Sequence, residues 1–310
     1  MGKIFLWGAI FLFLAAPGAS AAYGAADDVE KDSAPVPVQD SHPPASGTEN
    51  GVLLWSPPAE LYPRSIADPR RSGFAFTYGQ FIDPEIAQAG DTRLTVRLGG
   101  SYGILRFHPE GSPERGYQLD VGANFLGQFD LDHSLDNIGW DGLYHLQLTW
   151  ADGEGLAFKL GTLHDSSHVG DEYAERAGRK RFGYTREELV LGGSRSFPLG
   201  WRAYAEAGRA YHRSNKESMD LWRAQTGIEY ESPERFRDGT MAWYAALDCS
   251  FYQENDWHGN VSIQAGVVLP QEAIGRRYRF GVEYYRGRSV IGEFFQNNET
   301  MIAAGFWWDL

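Results

Sequence analysis

From residue 73 onward, apolar and polar side chains alternate in short segments separated by turn-forming clusters, and helical periodicity is hard to find. A period of two is the spacing of a strand with unlike faces. It predicts twelve strands, at residues 73–82, 92–106, 117–130, 139–150, 155–166, 187–196, 200–212, 219–230, 241–252, 260–269, 277–286 and 300–310. The fourth is the cleanest: Trp140, Tyr144, Leu146, Leu148 and Trp150 share one face, and Asp141, His145, Gln147 and Thr149 the other. The split recurs with Leu94, Val96 and Leu98 against Thr95 and Arg97, and with Phe280, Val282 and Tyr284 against Arg279 and Glu283.

A soluble sandwich also alternates, so three further features decide. Strands of about ten residues with aromatics at both ends of the greasy face, as at Trp140 and Trp150, match an apolar band about 25 Å tall between aromatic girdles. The strand count is even, and long linkers, the longest of about 20 residues after the fifth strand, alternate with tight ones such as Phe197-Pro198-Leu199. The chain closes with Ile302, Ala304, Phe306, Trp308 and Leu310 on one face, which looks like the C-terminal strand that presents bacterial barrels to the barrel assembly machinery, although those usually finish in Phe. The prediction is an all-β fold: a single antiparallel transmembrane β-barrel of about 12 strands over residues 73–310, both termini periplasmic. Its inward face mixes Arg97, Lys159, Arg202, Arg223 and Arg279 with Asp120, Glu206, Glu229, Asp248 and Glu283, which predicts a polar, salt-bridged lumen and a filled barrel instead of an open pore.

The N-terminal region changes the picture by setting the compartment. Residues 1–22 combine Lys3, an apolar run from Ile4 to Ala16, Pro17-Gly18 and small residues before Ala22, a secretory signal peptide too short to span a bilayer. Residues 23–50 are acidic and Pro-rich, an expected disordered linker. Residues 51–72 mix apolar anchors with prolines and are expected to form an ordered periplasmic segment that plugs the lumen. Cys249 is the single cysteine, which excludes an internal disulfide, and 28 basic against 41 acidic residues give a net charge of -13 that argues against nucleic acid as a partner. Export plus a barrel places the chain in the outer membrane of a Gram-negative-type bacterium, with outer-membrane lipid as its expected partner.

The densest chemistry is in the run from Leu156 to Glu172. By parity His164 and Ser166 share the face of Leu156, Phe158 and Leu160, the lipid face, at the outer-leaflet end of the fifth strand. This His-x-Ser resembles the arrangement in outer-membrane phospholipase and in the lipid A deacylase family. There the imidazole takes the serine proton and a residue of the adjacent strand orients it. Glu187, on the face of Leu189 and Leu191, is the corresponding candidate here. His212-Arg213-Ser214 is a second copy of the tripeptide. His168, Asp171 and Glu172 form a loop or metal candidate, carboxylates suiting Ca²⁺ and imidazoles Zn²⁺. The plainer expectation is that the run folds the loop over the rim, with Asp171 and Glu172 pairing with Arg176, Arg179, Lys180 or Arg181.

Leu61-Tyr62-Pro63-Arg64-Ser65-Ile66-Ala67-Asp68-Pro69-Arg70, the spaced His164-x-Ser166-Ser167-His168-x-Gly170-Asp171-Glu172, and Tyr184-Thr185-Arg186-Glu187-Glu188-Leu189-Val190-Leu191-Gly192 together resemble the bacterial family known as domain of unknown function 1207 (DUF1207). The resemblance covers Gly51 to the C-terminus. It implies an outer-membrane barrel and no activity. The first functional expectation is therefore a structural, surface or transport role. A serine-histidine lipid esterase using His164, Ser166 and Glu187 is the alternative, and metal or ligand binding at the third outer loop the second.

Overall fold

The computed structural model describes residues 51–271 and 276–309, so the predicted signal peptide and linker lie outside the described residues. A first strand β1 (Gly51–Trp55) precedes β2 (Phe74–Ile82), β3 (Thr92–Pro109), β4 (Arg115–Asp130), β5 (Asp136–Asp152) and β6 (Leu156–Val169). A short helix α1 (Asp171–Ala177) then leads to β7 (Thr185–Phe197), β8 (Trp201–Arg213), β9 (Trp222–Glu231), β10 (Ala242–Tyr252), β11 (Gly259–Gln271), β12 (Arg276–Arg288) and β13 (Asn298–Asp309). Each strand from β2 to β13 pairs antiparallel with the next, and β13 pairs with β2 (Phe306 opposite Phe76), closing a twelve-stranded barrel. All twelve predicted strands are present. Closure removes the sheet edges that lipid cannot hydrogen-bond.

Alternation was the right signal because the wall has unlike faces. Leu146, Leu148, Leu160, Leu189, Leu191 and Val282 point outward and are exposed, whereas Asp141, Thr149, Arg279 and Glu283 are buried inside. Aromatic pairs ring the terminal end (Trp150–Phe158, Trp201–Tyr230, Tyr278–Trp308), and Phe125, Trp140 and His168 stack at the other. The pattern missed β1: Gly-Val-Leu-Leu-Trp does not alternate. It lies on the edge of β3 that β2 also uses, Gly51 opposite Pro109 and Trp55 opposite Leu105, while β2 takes Thr92 to Arg97.

Residues 57–72 run along the inside of the wall. Four prolines keep this stretch out of any ladder, so its carbonyls need other donors. Inward arginines supply them: Arg106 donates to Ala59 O, Arg202 to Pro63 O (2.5 Å) and Arg64 O (3.2 Å), Arg279 to Ile66 O (3.3 Å) and Arg97 to Asp68 O (3.0 Å). In return Ile66 N donates to Glu229 Oε1 at 2.5 Å. Apolar side chains fit where the wall is small: Leu61 and Tyr62 against Ala151 and Ala157, and Ile66 and Ala67 against Ala242 and Ala246. Burial, then the neighbouring Glu206, holds the Tyr62 phenol well above its usual pKa, so it stays a donor to Glu206 Oε1 (3.4 Å).

The mixed-sign interior is paired in part, as Lys159–Glu206 (2.5 Å), Arg202–Glu229 (2.8 Å) and Arg223–Glu188 (2.9 Å), while Asp120 accepts from Gln118 and Thr149, Asp248 from Tyr204 and Gln225, and Glu283 from Ser262. Opposite the termini, connections fold over the opening. The linker after β6 is shorter than predicted, residues 170–184, because β6 runs on to Val169 and β7 begins at Thr185. Tyr173 of α1 meets Phe294 edge-on at 5.5 Å within an apolar cluster with Ile86, Leu126, Ile138, Leu143, Val169 and Ile291. The Glu293 carboxylate accepts the Phe182 and Gly183 amides, each at 2.7 Å. Glu293→Ala strands those amides and should cost about 1–3 kcal/mol. Limited proteolysis should then cut residues 178–184 faster than in wild type, and an unchanged rate contradicts this assignment.

Candidate functional site

The register of three strands builds the membrane-facing site. His164 of β6 stands opposite Tyr144 of β5 on one side and Glu187 of β7 on the other. Its Nδ1 is 3.3 Å from Glu187 Oε1, the side chains being 38% and 30% exposed, and its ring lies 5.8 Å from the Tyr144 ring. A carboxylate at Nδ1 favours the tautomer that carries its proton there and leaves Nε2 as an acceptor. Ser166 shares the outward face, between Gly142 and Thr185. A Cβ on Gly142 would sit 3.5 Å from both Ser166 Oγ and Tyr144 Oη, so the serine and the phenol both lie over bare backbone. No hydrogen bond joins Ser166 to His164 among the described residues.

A bulge adds a fourth group. The pairing of β7 with β8 skips from Glu187–His212 to Glu188–Ala210, which leaves Tyr211 as the extra residue, with its hydroxyl beside Glu187. His164 and Ser166 stand five and three residues short of Val169, the end of β6. At about 3.3 Å per residue and roughly 40° of tilt, that is roughly 8–13 Å below the strand end.

Behind this face the wall is pinned from within. Asp165, between His164 and Ser166, points inward to Arg70 Nη2 (2.5 Å), and Arg70 Nη1 reaches Asp141 of β5 (2.9 Å) and Val290 O. Burial opposes the Arg70 charge, but Asp165 and Asp141 outweigh it and hold its pKa well above the usual arginine value. Burial draws Arg71 the other way, down to about 10, against its Asp309 partner, so it too is charged at neutral pH. Alternation made the inward direction of Asp141 and Asp165 legible. Their shared partner, about 70 and 95 residues upstream, carried no local signal.

The loop candidates do not converge. His168 is a strand residue whose ring stacks on Trp140 at 4.2 Å and whose Nδ1 accepts from Arg181 (3.1 Å). Asp171 and Glu172 are exposed in the first turn of α1, where they complement its dipole. Among the described residues no three His, Cys, Asp or Glu groups are placed to hold a metal. The expected ion pairs of Asp171 and Glu172 are also replaced: Arg176 takes Asp130 and Asp136 (3.0 Å each), and Arg179 donates to Glu293 O. Because β6 continues past Ser166, His168 is turned to the membrane side, away from the carboxylates. The second tripeptide resolves as structural, since Ser214 Oγ accepts the Thr185 amide at 2.9 Å.

Sequence reasoning missed an inner pair. Ser101 Oγ and His145 Nε2 are 3.0 Å apart across Gly122, whose missing Cβ would lie 2.1 Å from the imidazole. They line a cavity of about 180 Å³ between residues 57–72 and the loops opposite the termini, with Tyr62, Lys159, Asp165 and Arg186. Gly122 at an inward position was the available signal.

Solved structures with this fold include outer membrane phospholipase A from Escherichia coli (12% identity, TM-score 0.51, 78% of this chain and 93% of that one). The Salmonella typhi outer membrane phospholipase dimer with bound calcium matches similarly (13% identity, TM-score 0.52, 78% and 92%). The KdgM porin aligns at 7% identity and TM-score 0.40 over 77% and 99%. At these identities the likeness is one of fold, that of outer-membrane barrels. No curated protein sequence matches the chain. The family described as protein of unknown function (DUF1207) matches residues 24–307, and the chain belongs to that family.

Proposed function

We propose that this outer-membrane barrel is a serine esterase acting on acyl lipids of the outer leaflet, with Ser166 as nucleophile, His164 as base and Glu187 as its orienting residue. The observation that carries this reading is the His164–Glu187 contact on the membrane-facing wall, where a polar couple is costly without a purpose. Ser166 Oγ attacks the ester carbonyl as His164 Nε2 takes its proton. The imidazolium, held by Glu187, returns that proton to the leaving alcohol, and water activated by the same nitrogen releases the fatty acid. With no Ser166–His164 hydrogen bond in the free protein, the serine must turn onto Nε2 when lipid is bound; such contacts often tighten only with substrate. The likeness to phospholipase barrels supports the scaffold alone, and the activity rests on the side chains.

A structural or surface barrel is the second reading, favoured by the filled interior, where wall arginines are spent on the carbonyls of residues 57–72. That filling weighs against passive transport. Protein reconstituted in phospholipid or lipopolysaccharide, with and without Ca²⁺, separates the two. Wild type should release fatty acid and Ser166→Ala should stay at the blank. Equal release from both, or none from either, leaves the structural reading.

A further inference from the structure

Arg209 of β8 also faces the membrane. It is exposed, stands opposite Leu189 of β7 and Trp222 of β9, and its guanidinium carbon lies 5.7 Å from a Trp222 ring centroid. Among the described residues no carboxylate pairs with it. The inward arginines Arg186, Arg202, Arg223 and Arg279 all have carboxylate partners. Arginine stays charged at any working pH, and a bare guanidinium on a lipid-facing wall is unfavourable unless the bilayer supplies its counter-charge. The indole face stabilises part of that charge. Trp222 is the first residue of β9, which puts the pair near the headgroups, where phosphate is the anion at hand.

Leu189 pairs with Thr162, so the Arg209 rung runs two residues below the His164–Glu187 rung, and Tyr211 joins them as the next outward side chain of β8. We propose that Arg209, backed by Trp222, binds the phosphate of an outer-leaflet lipid. If the esterase reading holds, on which this part rests, the substrate is then a phosphate-bearing acyl lipid. Two strands, about 10 Å, separate Arg209 from His164 laterally, a span that the reach of an arginine and a phosphate-to-ester separation together cover. A guanidinium forks two parallel bonds onto phosphate oxygens, which a neutral lipid cannot accept.

Binding is measured by native mass spectrometry in neutral detergent on the Ser166→Ala protein, so that turnover plays no part. Phosphatidylglycerol is the probe, diacylglycerol of the same chains the neutral comparison, and inorganic phosphate the competitor. Phosphatidylglycerol should bind about tenfold or more tightly than diacylglycerol, with the advantage lost in Arg209→Gln, partly kept in Arg209→Lys and untouched by Arg195→Gln, an outward arginine of β7 already paired with Asp152. Equal binding of the two lipids, full affinity in Arg209→Gln or equal loss in Arg195→Gln overturns the site. Displacement by millimolar inorganic phosphate overturns its lipid source. A protein that binds as stated yet hydrolyses nothing keeps this site and loses the esterase.

Discussion

Replacing Arg70 by alanine should cost the barrel about 3–5 kcal/mol, because it strands a buried carboxylate pair. Asp141 is fully buried and Asp165 nearly so, and Arg70 bridges both while also fastening Val290 O. Lysine keeps the charge but cannot fork onto two carboxylates, so Arg70→Lys should fall between. Urea unfolding of protein refolded in detergent reads the difference. A change of less than about 1 kcal/mol would mean the carboxylates find other partners and that residues 57–72 are dispensable to the wall. Since Asp165 separates His164 from Ser166, the variant should also impair the outer site.

The second large effect falls on turnover. Ser166→Ala and His164→Ala should each lower fatty-acid release by about 10³-fold or more, and the double variant should be no worse, because the two groups act as one unit. Glu187→Gln should cost less, since the carboxylate orients the imidazole without reacting, and Tyr211→Phe least, since it touches only Glu187. Initial rates in mixed micelles give this order. A Glu187→Gln variant slower than His164→Ala would reverse the assigned roles.

How much of this was legible depended on how far apart the interacting residues lie. Every barrel strand announced itself, because a wall between lipid and a polar interior imposes alternation at each position. β1 did not, because it pairs with the last residues of β3, at the end of the barrel that holds the termini, and carries no alternation. His164 and Glu187 were placed on one face by parity alone; that they stand opposite each other is a matter of register, set by where β6 and β7 end. The sequence pattern underran both strands by two or three residues, and for that reason it left His168 in a loop beside Asp171 and Glu172. The inner contacts of residues 57–72 follow no period, since a proline-rich segment is held by guanidinium-to-carbonyl bonds from strands far along the chain. Arg70 was invisible for the same reason, whereas the Ser101–His145 pair left one trace, the inward Gly122 between its strands.

The outward-facing serine is tested most directly by a lipid-chain fluorophosphonate, which bonds only to an activated hydroxyl and needs no knowledge of the natural substrate. Reconstituted protein is incubated with the reagent and the adduct located by peptide mass spectrometry. One adduct is expected, on Ser166, absent in His164→Ala and unchanged in Ser101→Ala, which alters only the serine paired with the inner histidine. No adduct, or one on any other residue, would contradict this assignment.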